Sequence, residues 1–123
     1  MLGDVYKGDV YALARHANAS GPRIPLRTIE KPPSAELAPD QLDSDDLPPY
    51  EVLDAYLRAR VDEERAPEEI ASTFGIDDEV VWRLERLLGI SEFKRYQATI
   101  VPKLAPRTFG RGRDVPVVSR WNP

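Results

Sequence analysis

The sequence contains no cysteine and only one histidine, His16. Without cysteine the chain can form no disulfide, no thiolate metal site and no cysteine nucleophile. His16 lies beside the apolar stripe of a predicted helix, with no Ser/His/Asp set and no metal-ligand spacing around it. We therefore expect neither a self-contained catalytic set nor a metal site in this chain.

Long apolar runs are also missing, and no stretch approaches the roughly 20 apolar residues of a membrane helix. The N-terminus carries Asp4 and Asp9 among its apolar residues and lacks the apolar core of a signal peptide. A glycine-rich phosphate loop is not evident, because FGRGR at residues 109–113 follows no predicted strand and opens no predicted helix. These observations predict a cytoplasmic protein with no membrane partner.

Proline, in contrast, is abundant, with 12 among 123 residues. Each proline fixes φ and lacks an N–H, so long stretches can be neither helix nor central strand. The apolar share of 41% and the charged share of 31% are compatible with a soluble folded chain. The length allows one small domain at most, and we predict a single domain over residues 1–123.

The net charge of −4 conceals an asymmetry along the chain. Acidic residues dominate from Glu30 to Glu85, whereas basic residues dominate from Lys94 onward. A basic tail on an acidic body suggests a bound polyanion such as a nucleotide. It is equally compatible with a tail that docks on its own acidic body, and charge alone does not separate the two.

Apolar residues recur at helical spacing in several segments, which predicts a mainly α fold with four or five short helices. The predicted helices cover residues 4–18, 50–64, 68–74, the segment from 77 to Gly89, and 91–97. Asp77 is expected to cap its helix, while Gly75 and Gly89 are expected to end theirs. The first helix carries one apolar stripe, formed by Tyr6, Val10, Leu13, Ala14 and Ala17.

The segments between the helices have distinct compositions. Residues 24–29 are bounded by prolines and predict a strand or an extended arm. Residues 31–49 form a long loop rich in proline and acid, and residues 98–123 form an irregular basic tail. The predicted domain thus divides into a helix with an extended arm (1–30), a loop (31–49), a helical part (50–97) and the tail.

One helix pair has the spacing of a DNA-binding helix-turn-helix, with Ala71, Gly75 and Val81 at the motif positions. The second helix, however, begins with three acids, Asp77, Asp78 and Glu79. Phosphate contacts dominate DNA affinity, so acids at that end oppose binding. An ordinary helical hairpin is the favoured interpretation, and we expect no nucleic-acid partner.

The long loop places Lys31 and Ser34 on a proline-stiffened stretch. Proline limits the entropy that such a loop loses on closing, and both side chains can contact phosphate oxygens. The loop could therefore act as a lid over a nucleotide. A plain surface loop is the simpler interpretation, and from these residues alone it is favoured.

Three segments carry a more specific signal: GDVYKGDVYALARHAN, IPLRTIEKPPSAELAPDQLDSDDLPPYEVLDAYL and EFKRYQATIVPKLAPRTFGRGRDVPVVSRW. In this order they resemble the C-terminal third of NAD+ synthetases, and the long tail resembles the glutamine-dependent branch of that family. The resemblance implies a piece of an α/β synthetase of the adenine-nucleotide hydrolase type. It also implies a reaction in which ATP adenylates the carboxylate of deamido-NAD+ and ammonia then displaces AMP to give NAD+.

Site residues follow from the resemblance by motif position. Lys7 in GDVYK and Ser34 in KPPSAEL match residues that bind ATP, while Lys94 in EFKR matches a lysine at the deamido-NAD+ site. Phe93 lies where relatives often have His or Tyr. Lys31 and Arg95 adjoin these motifs and are weaker candidates than Lys7, Ser34, Phe93 and Lys94.

The resemblance also implies what is absent. The family's pyrophosphatase loop, its acidic magnesium ligand and its glutaminase domain lie upstream of the matched segments. We therefore expect the chain to be incomplete alone, to need the N-terminal synthetase region or a second copy as partner, and to hold neither ATP nor Mg²⁺ stably by itself. A non-catalytic remnant or interaction module with residual nucleotide binding is the alternative function.

Overall fold

The computed structural model describes residues 2–33, 47–98 and 100–107, with the side chains of residues 95 and 96 left aside. Ser34 and most of the predicted loop lie outside these residues. The elements are α1 (Lys7–Ala17), α2 (Leu26–Glu30), α3 (Tyr50–Leu57), a π-helical turn (Arg58–Asp62), α4 (Pro67–Phe74), α5 (Asp78–Ile90) and α6 (Glu92–Gln97). No strand occurs among the described residues, which confirms the predicted mainly helical fold.

The chain divides into two compact units. One, which we name the inserted unit, comprises residues 6–55; the other, the main unit, comprises residues 1–5 and 56–123. Along the sequence, the chain leaves the main unit after Val5 and re-enters it at Tyr56.

In the inserted unit, α1 ends where the sequence predicts, at Asn18. The Asn18 side chain closes the following turn: its Oδ1 accepts hydrogen bonds from the N–H groups of Arg23 (2.9 Å) and Ile24 (2.8 Å), and its Nδ2 donates to the Ile24 carbonyl at 2.8 Å. Arg15 and His16 lie in the last turn of α1, where the helix dipole favours positive charge.

The predicted extended segment at residues 24–29 is wrong, because Leu26–Glu30 forms the short helix α2. Pro25 precedes it with φ at −54°, and the Pro25 carbonyl accepts the Thr28 N–H at 2.9 Å. A proline that bounds a segment is also well suited to open a helix, where its missing N–H has no intrahelical partner in any case. The sequence prediction took the prolines only as residues that interrupt regular structure.

The single helix predicted over residues 50–64 is also interrupted. After Leu57 the backbone widens into the π-helical turn, in which the Arg58 carbonyl accepts the Glu63 N–H at 3.1 Å. Glu64 then adopts a left-handed φ of 58°, and the Arg65 N–H reaches back to the Ala59 carbonyl at 3.0 Å. The wider turn keeps Ala59 buried while these backbone bonds end the helix before residue 64.

The core of the main unit is small and lies where the helices meet. Its buried apolar side chains come from α3, the π-helical turn, α4 and α5: Tyr56, Ala59, Ile70, Ala71, Val81, Leu84. Gly75 ends α4 in the left-handed conformation, with φ 63° and ψ 35°, and the Asp77 carboxylate accepts the Glu79 N–H at 3.1 Å. These two features confirm the predicted stop and cap.

The expected stop at Gly89 is wrong, since α5 continues to Ile90 and ends at Ser91. Glycine is tolerated inside a helix at a modest cost in stability, and a negative φ at that position requires no left-handed turn. The Ser91 N–H bonds to the Leu87 carbonyl at 3.0 Å, which carries the helix past the glycine.

Candidate functional site

Lys7 is the first residue of α1, and its side chain is half-buried between two aromatic rings. Its Nζ lies 5.7 Å from the centroid of the Tyr11 ring and 5.9 Å from that of the Tyr50 ring. Tyr11 is four residues further along α1, so it shares the helix face of Lys7. Tyr50 is the first residue of α3. Both distances are within the range of a cation–π contact.

The first turn of α1 is fixed by a second contact with α3. The Gly8 N–H donates to Asp54 Oδ2 at 2.6 Å, and the Asp54 side chain belongs to a residue only 9% exposed. No side chain from the preceding residues caps α1, so this carboxylate supplies the partner that the helix start needs. A carboxylate here also complements the positive end of the helix dipole.

Glycine at residue 8 leaves room for this close contact. A Cβ at residue 8 would lie 2.9 Å from Asp54 Oδ2, which is closer than two such atoms pack. Tyr50 and Asp54 are one turn apart on α3, so one helix presents both the ring beside Lys7 and the carboxylate beside Gly8. The inserted unit thus holds one lysine ammonium in a defined place, an arrangement suited to binding an anion such as a phosphate.

The other predicted ATP contacts are less defined. Lys31 lies directly after α2 with an exposed side chain, and its N–H donates to the Arg27 carbonyl at 3.0 Å. Ser34 lies outside the described residues. The structure therefore places Lys7 and Lys31 in the same compact unit but does not bear on the lid-like role predicted for residues 31–49.

Phe93 and Lys94 are consecutive residues of α6 in the main unit. Both side chains are exposed, with Phe93 49% accessible, and the Lys94 N–H anchors the helix start by donating to the Ser91 carbonyl at 2.9 Å. Arg95 lies in the same helix, and its side chain is outside what the structure describes. An exposed ring beside an exposed ammonium can contact a planar, anionic ligand.

The described part of the tail docks on the main unit. Asp4 Oδ2 accepts hydrogen bonds from the N–H groups of Leu104 (2.6 Å) and Ala105 (3.0 Å), and Arg107 pairs with Glu64 at 2.5 Å. For residues 100–107, the second interpretation of the basic tail is therefore confirmed. Sequence reasoning did not identify Asp4, because its partners are a hundred residues away.

A buried polar cluster in the main unit was also missed. The Tyr56 hydroxyl donates to Glu85 Oε1 at 2.7 Å, while Arg60 donates to both carboxylate oxygens at 3.0 and 3.3 Å. Burial of the phenol and its hydrogen bond to Glu85 raise the pKa of Tyr56 far above its ordinary value. Tyr56 is completely buried, and the Arg60 and Glu85 side chains are 20% and 12% exposed, so the cluster ties α3 and the π-helical turn to α5.

The described residues supply no metal centre, since no group of three or more His, Cys, Asp or Glu side chains among them could hold an ion. Within the same part of the chain, none of the helices is long and apolar enough to cross a membrane.

Comparison with known proteins extends these observations. The family model described as NAD synthase matches residues 1–98. The glutamine-dependent NAD(+) synthetase of Acinetobacter baylyi is 45% identical over 125 residues, covering 100% of this chain and 23% of that protein. The protein of the same name from Aquifex aeolicus is 45% identical over 120 residues, covering 98% of this chain and 21% of that protein.

Among solved structures, the fold is similar to that of the glutamine-dependent NAD+ synthetase from Acinetobacter baumannii in complex with ADP. The TM-score is 0.58 at 36% identity, over 96% of this chain and 20% of that one. The chain thus spans about a fifth of the length of the relatives it matches. The extent of these matches shows that the chain belongs to the NAD synthase family.

Proposed function

We propose that this chain supplies the C-terminal part of a glutamine-dependent NAD+ synthetase, which amidates deamido-NAD+ at the expense of ATP. The observation that carries the proposal is 45% identity to a glutamine-dependent synthetase across the entire chain. The solved relative holds ADP, which supports an adenine nucleotide as ligand. In the complete enzyme this piece packs against an α/β sheet of the adenine-nucleotide hydrolase type, and a cytoplasmic location suits a reaction that consumes ATP.

The chemistry proceeds in two steps. The nicotinate carboxylate attacks the α-phosphorus of ATP, the α–β phosphoanhydride bond breaks, and pyrophosphate leaves. Ammonia then attacks the acyl carbon of the adenylate, AMP leaves with the electron pair of the acyl–oxygen bond, and loss of a proton gives the amide of NAD+. Activation is needed because a carboxylate is a poor electrophile with no adequate leaving group.

In this proposal Lys7 contacts the ATP phosphates and offsets the negative charge that grows on the departing pyrophosphate. Ser34 and Lys31 contact the same nucleotide from the loop. Lys94 pairs with a phosphate of deamido-NAD+, and the Phe93 ring packs against one of its planar rings, with Arg95 nearby. We assign no residue to Mg²⁺, because the described part of the chain offers no carboxylate cluster for it.

The exposed surface of α1 supports the need for a partner. None of the residues of α1 is buried, and Leu13 on its predicted apolar stripe is 50% exposed. A helix that buries no side chain gains little stability from packing. We propose that the remainder of the synthetase covers this face, with a second copy of the chain as the alternative.

A titration of the purified chain tests the two half-sites separately. ATP–Mg²⁺ and deamido-NAD+ are each titrated against the unmodified chain, Lys7→Met, Lys94→Met and the control Lys103→Met, which removes an exposed tail lysine. Lys7→Met should weaken ATP binding alone, and Lys94→Met should weaken deamido-NAD+ binding alone. Equal effects of all three substitutions would show a general loss of positive charge and contradict the assignment.

A chimera tests the function of the whole enzyme. The 125 residues of the Acinetobacter baylyi synthetase that match this chain are replaced by the chain itself. The chimera should form NAD+ from deamido-NAD+, ATP and glutamine, and Lys7→Met should lower its rate. A folded chimera that binds ATP but forms no NAD+ would favour the non-catalytic remnant instead.

The helix-turn-helix alternative finds no support in the surface of α5. Asp77, Asp78 and Glu79 at its start are all exposed, and a phosphate backbone would face them directly.

A further inference from the structure

We infer that Tyr11 and Tyr50 are positioning residues, which hold the Lys7 ammonium between their rings and direct it to the triphosphate of ATP. The inference rests on the proposed ATP site and deepens it, because no residue that orients Lys7 follows from the sequence motifs.

Two rings guide the cation without neutralising it. An aromatic face attracts an ammonium through its quadrupole but carries no net charge. Arg60, by comparison, forms an ion pair with Glu85, and that carboxylate balances its charge. The two ring contacts of Lys7 leave the charge of its ammonium in place for a phosphate.

The position of the rings is itself fixed. Tyr11 lies on α1, the same helix as Lys7, whereas Tyr50 lies on α3. The Gly8–Asp54 hydrogen bond of 2.6 Å ties the start of α1 to α3 one turn beyond Tyr50. The backbone of Lys7 and the start of α3, where Tyr50 lies, are thus held together by an adjacent, part-buried hydrogen bond.

Such an arrangement favours binding because a free lysine side chain samples many rotamers and loses that freedom when it contacts a ligand. Rings that already restrict the side chain remove part of this loss before ATP arrives. Each ring should therefore contribute about two- to fivefold to ATP affinity, the range that corresponds to an exposed cation–π contact.

The test uses the 123-residue chain and titrates ATP–Mg²⁺ against Tyr11→Leu, Tyr50→Leu and the matched variants Tyr11→Phe and Tyr50→Phe. Leucine fills similar apolar space without a ring face, whereas phenylalanine keeps the face and loses only the hydroxyl. We expect each leucine variant to bind about two- to fivefold more weakly, and each phenylalanine variant to bind like the unmodified chain.

A double-mutant cycle with Lys7→Met shows whether the rings act through the lysine. In that background Tyr50→Leu should have no further effect on ATP affinity. If Lys7→Met weakens binding but the leucine variants do not, the inference is wrong and the ATP site stands. If Lys7→Met binds ATP as tightly as the unmodified chain, the proposed site itself is wrong. If the isolated chain binds no ATP at millimolar concentration, the same variants are titrated in the chimera with the Acinetobacter baylyi synthetase, where the same outcomes decide.

An NMR measurement tests the contact between the two rings and Lys7 without any ligand. Ring currents from the two aromatic faces should shift the ε-methylene protons of Lys7 upfield in the NMR spectrum of the ligand-free chain. This shift should persist in the phenylalanine variants and shrink in each leucine variant. An unchanged shift in the double leucine variant would overturn the inference on its own.

Discussion

Asp54 caps a helix that begins 46 residues earlier, accepting the Gly8 N–H at 2.6 Å. The carboxylate is nearly buried and meets the positive end of α1, so this one hydrogen bond joins the first helix of the inserted unit to its last.

Asp54→Ala should lower the stability of the chain by about 1–3 kcal/mol, since a charged acceptor is removed and the Gly8 N–H is left without its partner. Asp54→Asn keeps an acceptor of similar shape and should lose less. Urea denaturation followed by circular dichroism measures both variants. Equal midpoints for Asp54→Ala and the unmodified chain would show that the helix start is satisfied by water.

Gly8→Ala and Gly89→Ala should have opposite effects, although both replace a helical glycine. At residue 89 no atom lies within 4 Å of the added Cβ, so alanine should stabilise the chain by about 0.5–1 kcal/mol. At residue 8 the Cβ would lie 2.9 Å from Asp54 Oδ2 and displace it, so alanine should be destabilising by about 1 kcal/mol. The same denaturation experiment compares them, and two stabilising substitutions would refute the close contact.

The buried Tyr56 should make the chain sensitive to high pH. Its folded-state pKa lies above the ordinary value of 10.0, so folding favours the neutral phenol. This contribution is fully present below pH 10 and is lost as the pH rises toward the raised pKa, because the unfolded phenol ionises first. Relative to Tyr56→Phe, the unmodified chain should lose about 1.4 kcal/mol per pH unit above pH 10.

Urea denaturation at pH 7, 10 and 11 (about one unit above the ordinary tyrosine pKa) provides the measurement. At pH 7 Tyr56→Phe should be the less stable chain by about 1–2 kcal/mol, because it lacks the hydrogen bond to Glu85, and this difference should shrink between pH 10 and 11. Parallel pH profiles for the two chains would mean that Tyr56 ionises without unfolding.

Asp4→Ala should free the docked tail from the main unit. The substitution removes the acceptor of both the Leu104 and Ala105 N–H groups, so trypsin should cleave after Lys103 about tenfold faster. Asp78→Ala, which removes an exposed acid from the start of α5, is the control and should leave the rate unchanged. If Asp4→Ala leaves the cleavage rate unchanged, other contacts keep the tail docked, for example the Arg107–Glu64 ion pair.

Local signals in the sequence predicted local structure well. Gly75 and Asp77 act within one turn of the chain, and the structure confirms both as the stop of α4 and the cap of α5. Prolines were ambiguous, because Pro25 can mark either an extended segment or a helix start. The π-helical turn depends on how Ala59 and its neighbours pack, which no short-range pattern encodes.

In the candidate site too, local sequence motifs were informative, whereas contacts between distant residues were not predicted. Lys7 was found only through its motif, and the rings that flank it were not found, because Tyr50 approaches from 43 positions away along the printed sequence. Asp54 and Asp4 were missed for the same reason: each binds a backbone N–H far along the chain, and any surface acid resembles them in sequence. The roles of Ser34, Phe93 and Lys94 stay predictions.

The hold of Asp4 on Leu104 and Ala105 gives the first residues an unusual status. Gly3 is packed so tightly that a Cβ would lie 2.7 Å from Val101 Cγ1. Gly3 and Asp4 thus contact a segment from the far side of the sequence, although Leu2 beside them is 53% exposed. A deletion of Gly3 and Asp4 would therefore release Leu104 and Ala105, which lie a hundred positions away, whereas a deletion inside an exposed loop would affect only its neighbours.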